Sequence, residues 1–167
     1  MAFSIYDASV PPMIRSLENL SKILDKAVAQ AKTEDKDLKS LLEARLAPDM
    51  HPFTRQIQIV SDTARGVARI AGLEVPSMPD VETTFPELKE RIAKTIAFLK
   101  SLPKEKFEGA ETRKVEMKIP DRVLEFPGGF YLTGFVLPNF YFHVTTAYGI
   151  LRHKGINIGK LDFLGGI

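Results

Sequence analysis

Apolar residues recur every three or four positions along four long segments of the chain, a spacing that places them on one face of an α-helix. In the first segment the apolar series runs from Val10 to Ala31, and charged residues occupy the opposite face. Because Pro11 and Pro12 suit the first turn of a helix, we expect the first long helix to begin there. A short helix over Leu38 to Leu46 is predicted next, and Pro48 ends it.

The second and third long helices have clear boundary signals. Pro52 suits the first turn of the second helix, whose apolar series continues to about Ala71, and Gly72 is a natural stop. The third helix follows Thr84, a residue type whose side chain accepts hydrogen bonds from the first N–H groups of a helix. Pro103 closes this third helix, because proline cannot continue the hydrogen-bond ladder.

The spacing of apolar residues changes after the third helix. From Val115 to Ile119 every second residue is apolar and the residues between them are charged, the pattern of a half-buried strand. Pro120-Asp121 makes a turn, and Val123 to Phe126 forms a second strand. This segment therefore predicts a β-hairpin.

The fourth long helix follows the hairpin. Pro127-Gly128-Gly129 breaks the second strand, and the apolar run Phe130 to Leu137 fits either a helix or an extended segment. Pro138 then leads into a helix that reaches about Lys154, where Gly155 is suited to cap it.

The order of these elements predicts a mainly all-α protein. We expect an antiparallel four-helix bundle with a short β-hairpin between its third and fourth long helices. The 167 residues are enough for one core and too few for a second domain of usual size, so residues 1–167 are interpreted as a single domain. The tail from Ile156 to Ile167 is expected to lie over the surface or against a partner.

Composition excludes several classes of function. Lys and Arg number 23 against 21 Asp and Glu, and the resulting net charge of +2 gives little attraction for nucleic acid or an anionic membrane. Cysteine is absent, which excludes disulfides, thiolate catalysis and thiolate metal sites. The first residues lack the pattern of a signal peptide, and no segment has the length of an apolar membrane span. We therefore expect a cytoplasmic protein.

Candidate chemistry is concentrated in the three histidines. On the fourth helix His143 shares one arc with Asn139 and Thr146 at about 100° per residue, and this arc faces the bundle. A buried imidazole needs partners for both nitrogens, which other side chains or a metal ion supply. Helical projection places His51 on the polar side of the second helix, whereas its position before proline favours a place ahead of that helix. His153 lies near the last turn of its helix, where a cation interacts favourably with the C-terminus.

The segments around these histidines resemble a known family. The stretches LAPDMHPFTRQ (Leu46 to Gln56) and PNFYFHVTTAYGILRHKG (Pro138 to Gly155), together with the ending IGKLDFL (Ile158 to Leu164), are similar to the domains of unknown function called DUF1993. That family is grouped with the DinB-like metalloenzymes. The resemblance covers nearly the whole chain and implies a four-helix bundle that is often dimeric.

The resemblance also implies a metal site with one histidine from the second long helix and a His-x-x-x-His pair from the fourth. Matched residue by residue, His51 is the first ligand and His143 the last, which places Asn139 where the family has a histidine. The alternative match puts His143 first and Ala147 second. An amide oxygen is a weak ligand for zinc or nickel and a methyl group is none, so either match lacks one imidazole.

Three functions remain open from the sequence. In the first, His51, His143 and Asn139 hold a divalent metal ion (zinc, nickel or iron), which activates a bound water or thiol. In the second, polar side chains of the bundle line a metal-free pocket for a small molecule, and the candidates are Arg55, Tyr141, Thr146 and Tyr148. In the third, the protein is a homodimer whose polar core is structural. Neither nucleic acid nor a membrane is an expected partner.

Overall fold

The computed structural model describes residues 4–119 and 121–166. Most of these residues are helical, and two short strands interrupt the helices. In chain order the elements are α1 (Ile5–Thr33), α2 (Leu38–Leu42), α3 (Phe53–Gly66), α4 (Phe85–Lys100), β1 (Lys114–Ile119), β2 (Arg122–Pro127), α5 (Gly128–Phe130), α6 (Leu137–His153) and α7 (Lys160–Leu164).

The four long helices α1, α3, α4 and α6 form the bundle. α1 packs against α4 and α6, and α3 packs against the same two helices from the other side, so the four helices surround one core. The largest apolar side chains of that core include Met13, Leu17, Leu24, Phe53, Ile57 and Phe140. The predicted fold class is confirmed: the protein is mainly helical, with a two-stranded hairpin between α4 and α6.

Helix α1 begins earlier than the sequence analysis predicted. Ser4 and Asp7 form a reciprocal cap, in which the Asp7 N–H donates to Ser4 Oγ (3.2 Å) and the Ser4 N–H donates to the Asp7 carboxylate (3.3 Å). This cap supplies partners for two N–H groups that would otherwise lack one. Pro11 and Pro12 lie inside the helix, where neither can donate to its hydrogen-bond ladder. The expectation that the two prolines open the helix is therefore wrong.

Helix α2 is shorter than predicted, ending at Leu42 and not at Leu46. The chain leaves the helix here because the Ala44 carbonyl accepts a hydrogen bond from the N–H of Phe53 (2.9 Å), the first residue of α3. This bond turns the chain from α2 into the bundle.

Three predicted helix ends are confirmed. A 3-10 turn, Val67–Ala71, extends α3, and Gly72 then ends it with φ at 70°. Gly155 follows α6 with φ at 77°, a left-handed conformation that suits glycine. At the start of α4 the Thr84 side chain accepts from the Glu87 N–H, and the Glu87 carboxylate accepts in return from the Thr84 N–H.

The predicted hairpin is also confirmed. β1 and β2 are antiparallel, with Val115 opposite Phe126 and Met117 opposite Leu124. The turn predicted at Pro120-Asp121 falls partly outside the described residues, because Pro120 is not among them.

The run from Phe130 to Leu137, which fitted a helix or an extended segment, is helical. Its middle part, Tyr131–Val136, is a π-helical turn, and Pro138 follows in the first turn of α6. Proline removes a ladder donor, and a wider turn before it accommodates that loss.

The C-terminal tail lies on α1, one of the two placements expected for it. Lys26 pairs with Asp162 (2.6 Å), and Asn19 Nδ2 donates to the Phe163 carbonyl (3.2 Å). These contacts fix α7 across the surface of α1. Within residues 4–119 and 121–166, no helix has the length and apolar character that crossing a membrane requires.

Candidate functional site

His143 is buried between α6 and α3, and a glutamine of α3 holds its ring. The imidazole Nδ1 lies 2.6 Å from Gln56 Oε1, and Gln56 Nε2 donates to the carbonyl of His51 (2.9 Å). Because the Gln56 amide nitrogen is engaged at His51, its oxygen faces His143 and accepts from it. The hydrogen of the neutral ring is therefore on Nδ1, and Nε2 carries the lone pair.

The surroundings of His143 favour its neutral form. Burial lowers the pKa of His143, and electrostatic interactions with His51 and Arg55 lower it further. The ring is thus uncharged at neutral pH, and its Nε2 lone pair is available to a hydrogen-bond donor or a metal ion.

His51 lies ahead of α3, which settles the ambiguity in the sequence. Pro52 has extended backbone angles, φ −68° and ψ 165°, and the helix begins at Phe53. The His51 side chain is exposed, and it lies close enough to His143 to influence the pKa of that residue. The structure therefore brings the two histidines to the same end of the α3–α6 pair.

Asn139 lies away from this end. Its Nδ2 donates to Thr63 Oγ1 (2.8 Å), whereas His143 bonds Gln56, seven residues earlier on α3. Since α3 and α6 run in opposite directions, moving from His143 to Asn139 leads about 6 Å along α6, away from His51. The buried Ala147, one turn in the other direction, lies on the side of His51. The geometry therefore favours the match that pairs His143 with the position of Ala147.

The four pocket candidates fall on two faces of the bundle. Arg55, on α3, forms an ion pair with Asp80, and the buried Thr146 hydroxyl donates to the Phe142 carbonyl one turn earlier on α6 (2.7 Å). Tyr141 and Tyr148 lie on the other face of α6, toward α1 and α7. The structure does not gather the four side chains into one pocket.

The donors present suit a transition-metal ion, but their number is small. Within the described ranges, no three His, Asp or Glu side chains come together in a group that could hold a metal ion. His51 and His143 provide two imidazoles, and Gln56 fixes one of them as outer-shell partners of metal-bound histidines do. These residues fit a two-histidine site, and they do not fit the three-histidine site that the resemblance implies.

Gln56 is the site residue that sequence reasoning missed. It is 1% exposed, and Thr63, which holds Asn139, lies seven residues further along the same face of α3. Polar residues at this spacing on an otherwise apolar helix face were the available signal.

The bundle, with a polar site between its second and last long helices, defines a DinB-like protein. The crystal structure of a DinB family member from Shewanella denitrificans is similar to this chain, with a TM-score of 0.89 and 40% sequence identity over 98% of this chain and 93% of that one. Residues 5–164 match the family described as a domain of unknown function, DUF1993, and the chain belongs to that family. No curated protein matches it.

Proposed function

We propose that His51 and His143 form a weak binding site for one divalent transition-metal ion, zinc, nickel or iron, with open positions for water or a small ligand. The hydrogen bond between His143 and Gln56 carries this proposal. It fixes the imidazole ring and leaves the Nε2 lone pair pointing away from the side-chain amide of Gln56. A bound ion of this kind lowers the pKa of a water molecule on it and so supplies a nucleophile. The chain's own contribution is to orient the two imidazoles.

The first test is metal binding by protein that was purified without a histidine tag. Equilibrium dialysis against zinc and nickel, followed by elemental analysis, should find one ion per chain in the wild type. His143→Ala and His51→Ala should each abolish this binding, because a single imidazole is a poor site. His153→Ala removes an exposed histidine of the same helix and should change nothing. No ion in the wild type, or equal binding by His143→Ala, would overturn the proposal.

The role of Gln56 gives a graded second readout. Gln56→Leu keeps the volume but removes the acceptor for His143 Nδ1, so metal affinity should fall by about 10- to 100-fold while the fold remains.

Ala147→His should raise the metal affinity more than Asn139→His, because only the first change adds an imidazole on the side of His51. Circular dichroism of each variant checks that the helices persist.

The homodimer implied by the family resemblance stays a prediction. Phe142 is 57% exposed and Leu46 44% exposed, and Leu46 lies against Gly149, which is two turns after Phe142 on the same face of α6. Sedimentation velocity over a concentration series should show a dimer that Phe142→Glu weakens. Val81→Glu, which changes a 70% exposed valine elsewhere, should leave it intact. A monomer at every concentration would contradict the prediction.

A further inference from the structure

A cavity lies on the face of α6 that turns away from His143. It has a volume of about 450 Å³, opens to solvent and is lined by residues of α1, α6 and α7. We call it the Arg15 pocket and define it by its main lining residues: Pro11, Pro12, Arg15, Ser16, Tyr141 and Phe163. Its volume is in the range of sites that bind small molecules.

Three donor side chains line the Arg15 pocket without a partner of their own. Within residues 4–119 and 121–166, the Arg15 guanidinium forms neither an ion pair nor a hydrogen bond. The hydroxyls of Ser16 and Tyr141 make no hydrogen bond to these residues either. Burial raises the pKa of Tyr141 and outweighs the opposing effect of Arg15, so the phenol stays protonated at neutral pH and can donate. The lining therefore offers an acceptor group three different donors.

The charges around the pocket favour a singly charged ligand. Arg15 is the cation in the described lining, and Asp7 is the acid. Asp7 is already engaged: hydrogen bonds from Lys104 (2.7 Å) and Ser4 lower its pKa to about 2. The single cation Arg15 balances the charge of a carboxylate, whereas a phosphate dianion would leave a net negative charge in the pocket. The planar guanidinium also matches the two oxygens of a carboxylate.

The remaining walls are apolar and held in place. Pro11 and Pro12 present their rings on α1, and Phe163 faces them from α7. Tyr148 contacts Phe163 edge to face at 5.8 Å between ring centroids, and Asn19 binds the Phe163 carbonyl. A ligand with an apolar or aromatic body would therefore contact a preformed surface.

We propose that the Arg15 pocket binds a small organic acid, with its carboxylate on Arg15, Tyr141 and Ser16 and its apolar part between the prolines and Phe163. The site is separate from the two histidines. Tyr141 and His143 are two residues apart on α6 and so point about 200° apart around the helix. Binding of the acid should not depend on metal.

The test is a ¹H–¹⁵N NMR titration of metal-free protein with benzoate, phenylacetate and hexanoate. Shifts are expected at Arg15, Ser16, Tyr141 and Phe163. Benzamide, which has the shape of benzoate without its charge, should bind at least about tenfold more weakly, because a charge-assisted hydrogen bond is lost. Inorganic phosphate should cause smaller shifts at these residues than benzoate does.

Variants make the assignment specific. Arg15→Met should weaken benzoate binding by about 10- to 100-fold, and Tyr141→Phe by up to about tenfold. Arg15 is exposed and Tyr141 is 36% exposed, so neither belongs to the core and the fold should persist. Arg152→Met removes an exposed arginine elsewhere on α6 and serves as the control. Absence of shifts at the pocket with all three acids, equal binding of benzamide, or unchanged affinity in Arg15→Met would each overturn the proposal. Loss of metal binding in His143→Ala would not affect it.

Discussion

Replacing Arg91 with methionine is expected to lower the free energy of unfolding by about 3 kcal/mol. The side chain is 1% exposed, and its guanidinium contacts Glu82 (3.0 Å), Asp62 (2.7 Å) and Asp80 (2.9 Å). Methionine has a similar volume but leaves these carboxylates without their shared cation. Breaking a buried ion pair from one side costs about 3–5 kcal/mol, and the lower end applies because Asp62 and Asp80 are 40% and 35% exposed.

This ion-pair cluster fastens the segment between Gly72 and Thr84 to the bundle. Arg91 reaches it from α4, and two arginines of α3 add further contacts: Arg65 pairs with Asp62 (2.5 Å) and donates to the Pro76 carbonyl, and Arg55 pairs with Asp80. The segment has no helix or strand of its own in the described structure. Its position therefore depends on these charged side chains.

The pH dependence of the Arg91 effect can be derived from Glu82. Burial alone would raise the pKa of Glu82, but hydrogen bonds from Arg91, its own backbone and Gln58 outweigh burial and lower it below the ordinary value of 4.5. The pKa of Glu82 is lower in the folded state than in the unfolded state, so ionised Glu82 stabilises the native state at neutral pH. This contribution is lost as the pH falls through the folded-state pKa. In Arg91→Met, protonation of Glu82 instead removes a buried negative charge that has lost its cation, so the variant loses less stability in acid. The difference in stability between wild type and Arg91→Met should therefore narrow below about pH 4.5.

Urea unfolding at neutral and acidic pH measures both effects. Lys94→Met is a matched control on the same helix, because Lys94 pairs only with Glu90 in the described structure and both are more than 60% exposed. Its effect should stay within about 0.5 kcal/mol. If Arg91→Met were as stable as Lys94→Met, the cluster would have no net stabilising role.

The sequence predicted the fold well where local signals decide the structure. Thr84, Gly72 and Gly155 act on the residues next to them, through a side-chain cap or a left-handed backbone, so their effects can be read from the chain alone. The start of α1 is also set by a local signal, but the wrong signal was chosen from the sequence. Pro11 and Pro12 suggested a first turn, but the stronger signal was the cap formed by Ser4 and Asp7, which lie seven and four residues before Pro11.

The site was predictable only in part, because part of it depends on how distant helices align. The inward direction of His143 follows from helical periodicity, and His143 is buried. Whether Asn139 or Ala147 lies near His51 depends on the offset between α3 and α6, which no local pattern contains. Arg91 shows the same limit: it lies between Leu88 and Thr95 on the inner side of α4, but its three carboxylates come from other segments.

Gly128→Ala should destabilise the protein by about 3 kcal/mol or more, although alanine normally favours a helix over glycine. Gly128 is the first residue of α5, where the chain passes from the hairpin into the segment that leads to α6. A Cβ at this position would lie closer than 3.0 Å to the carbonyl oxygen of the buried Ala110, and 3.2 Å from Cγ2 of Ile70. The clash is with backbone, so a side-chain rotation cannot relieve it.

Gly129 provides the control within the same turn. The nearest atom to a Cβ there is the Glu111 carbonyl oxygen at 3.4 Å, an ordinary contact, and neither glycine has a positive φ. Gly129→Ala should therefore be neutral or more stable by up to about 1 kcal/mol, since it reduces the freedom of the unfolded chain. Urea unfolding gives the two free energies, and the NMR signal of His143 reports whether a shift of α6 reaches the Gln56 contact. Stabilisation by both substitutions would contradict the close approach of Ala110 to α5, and with it the way the hairpin positions the helix that carries His143.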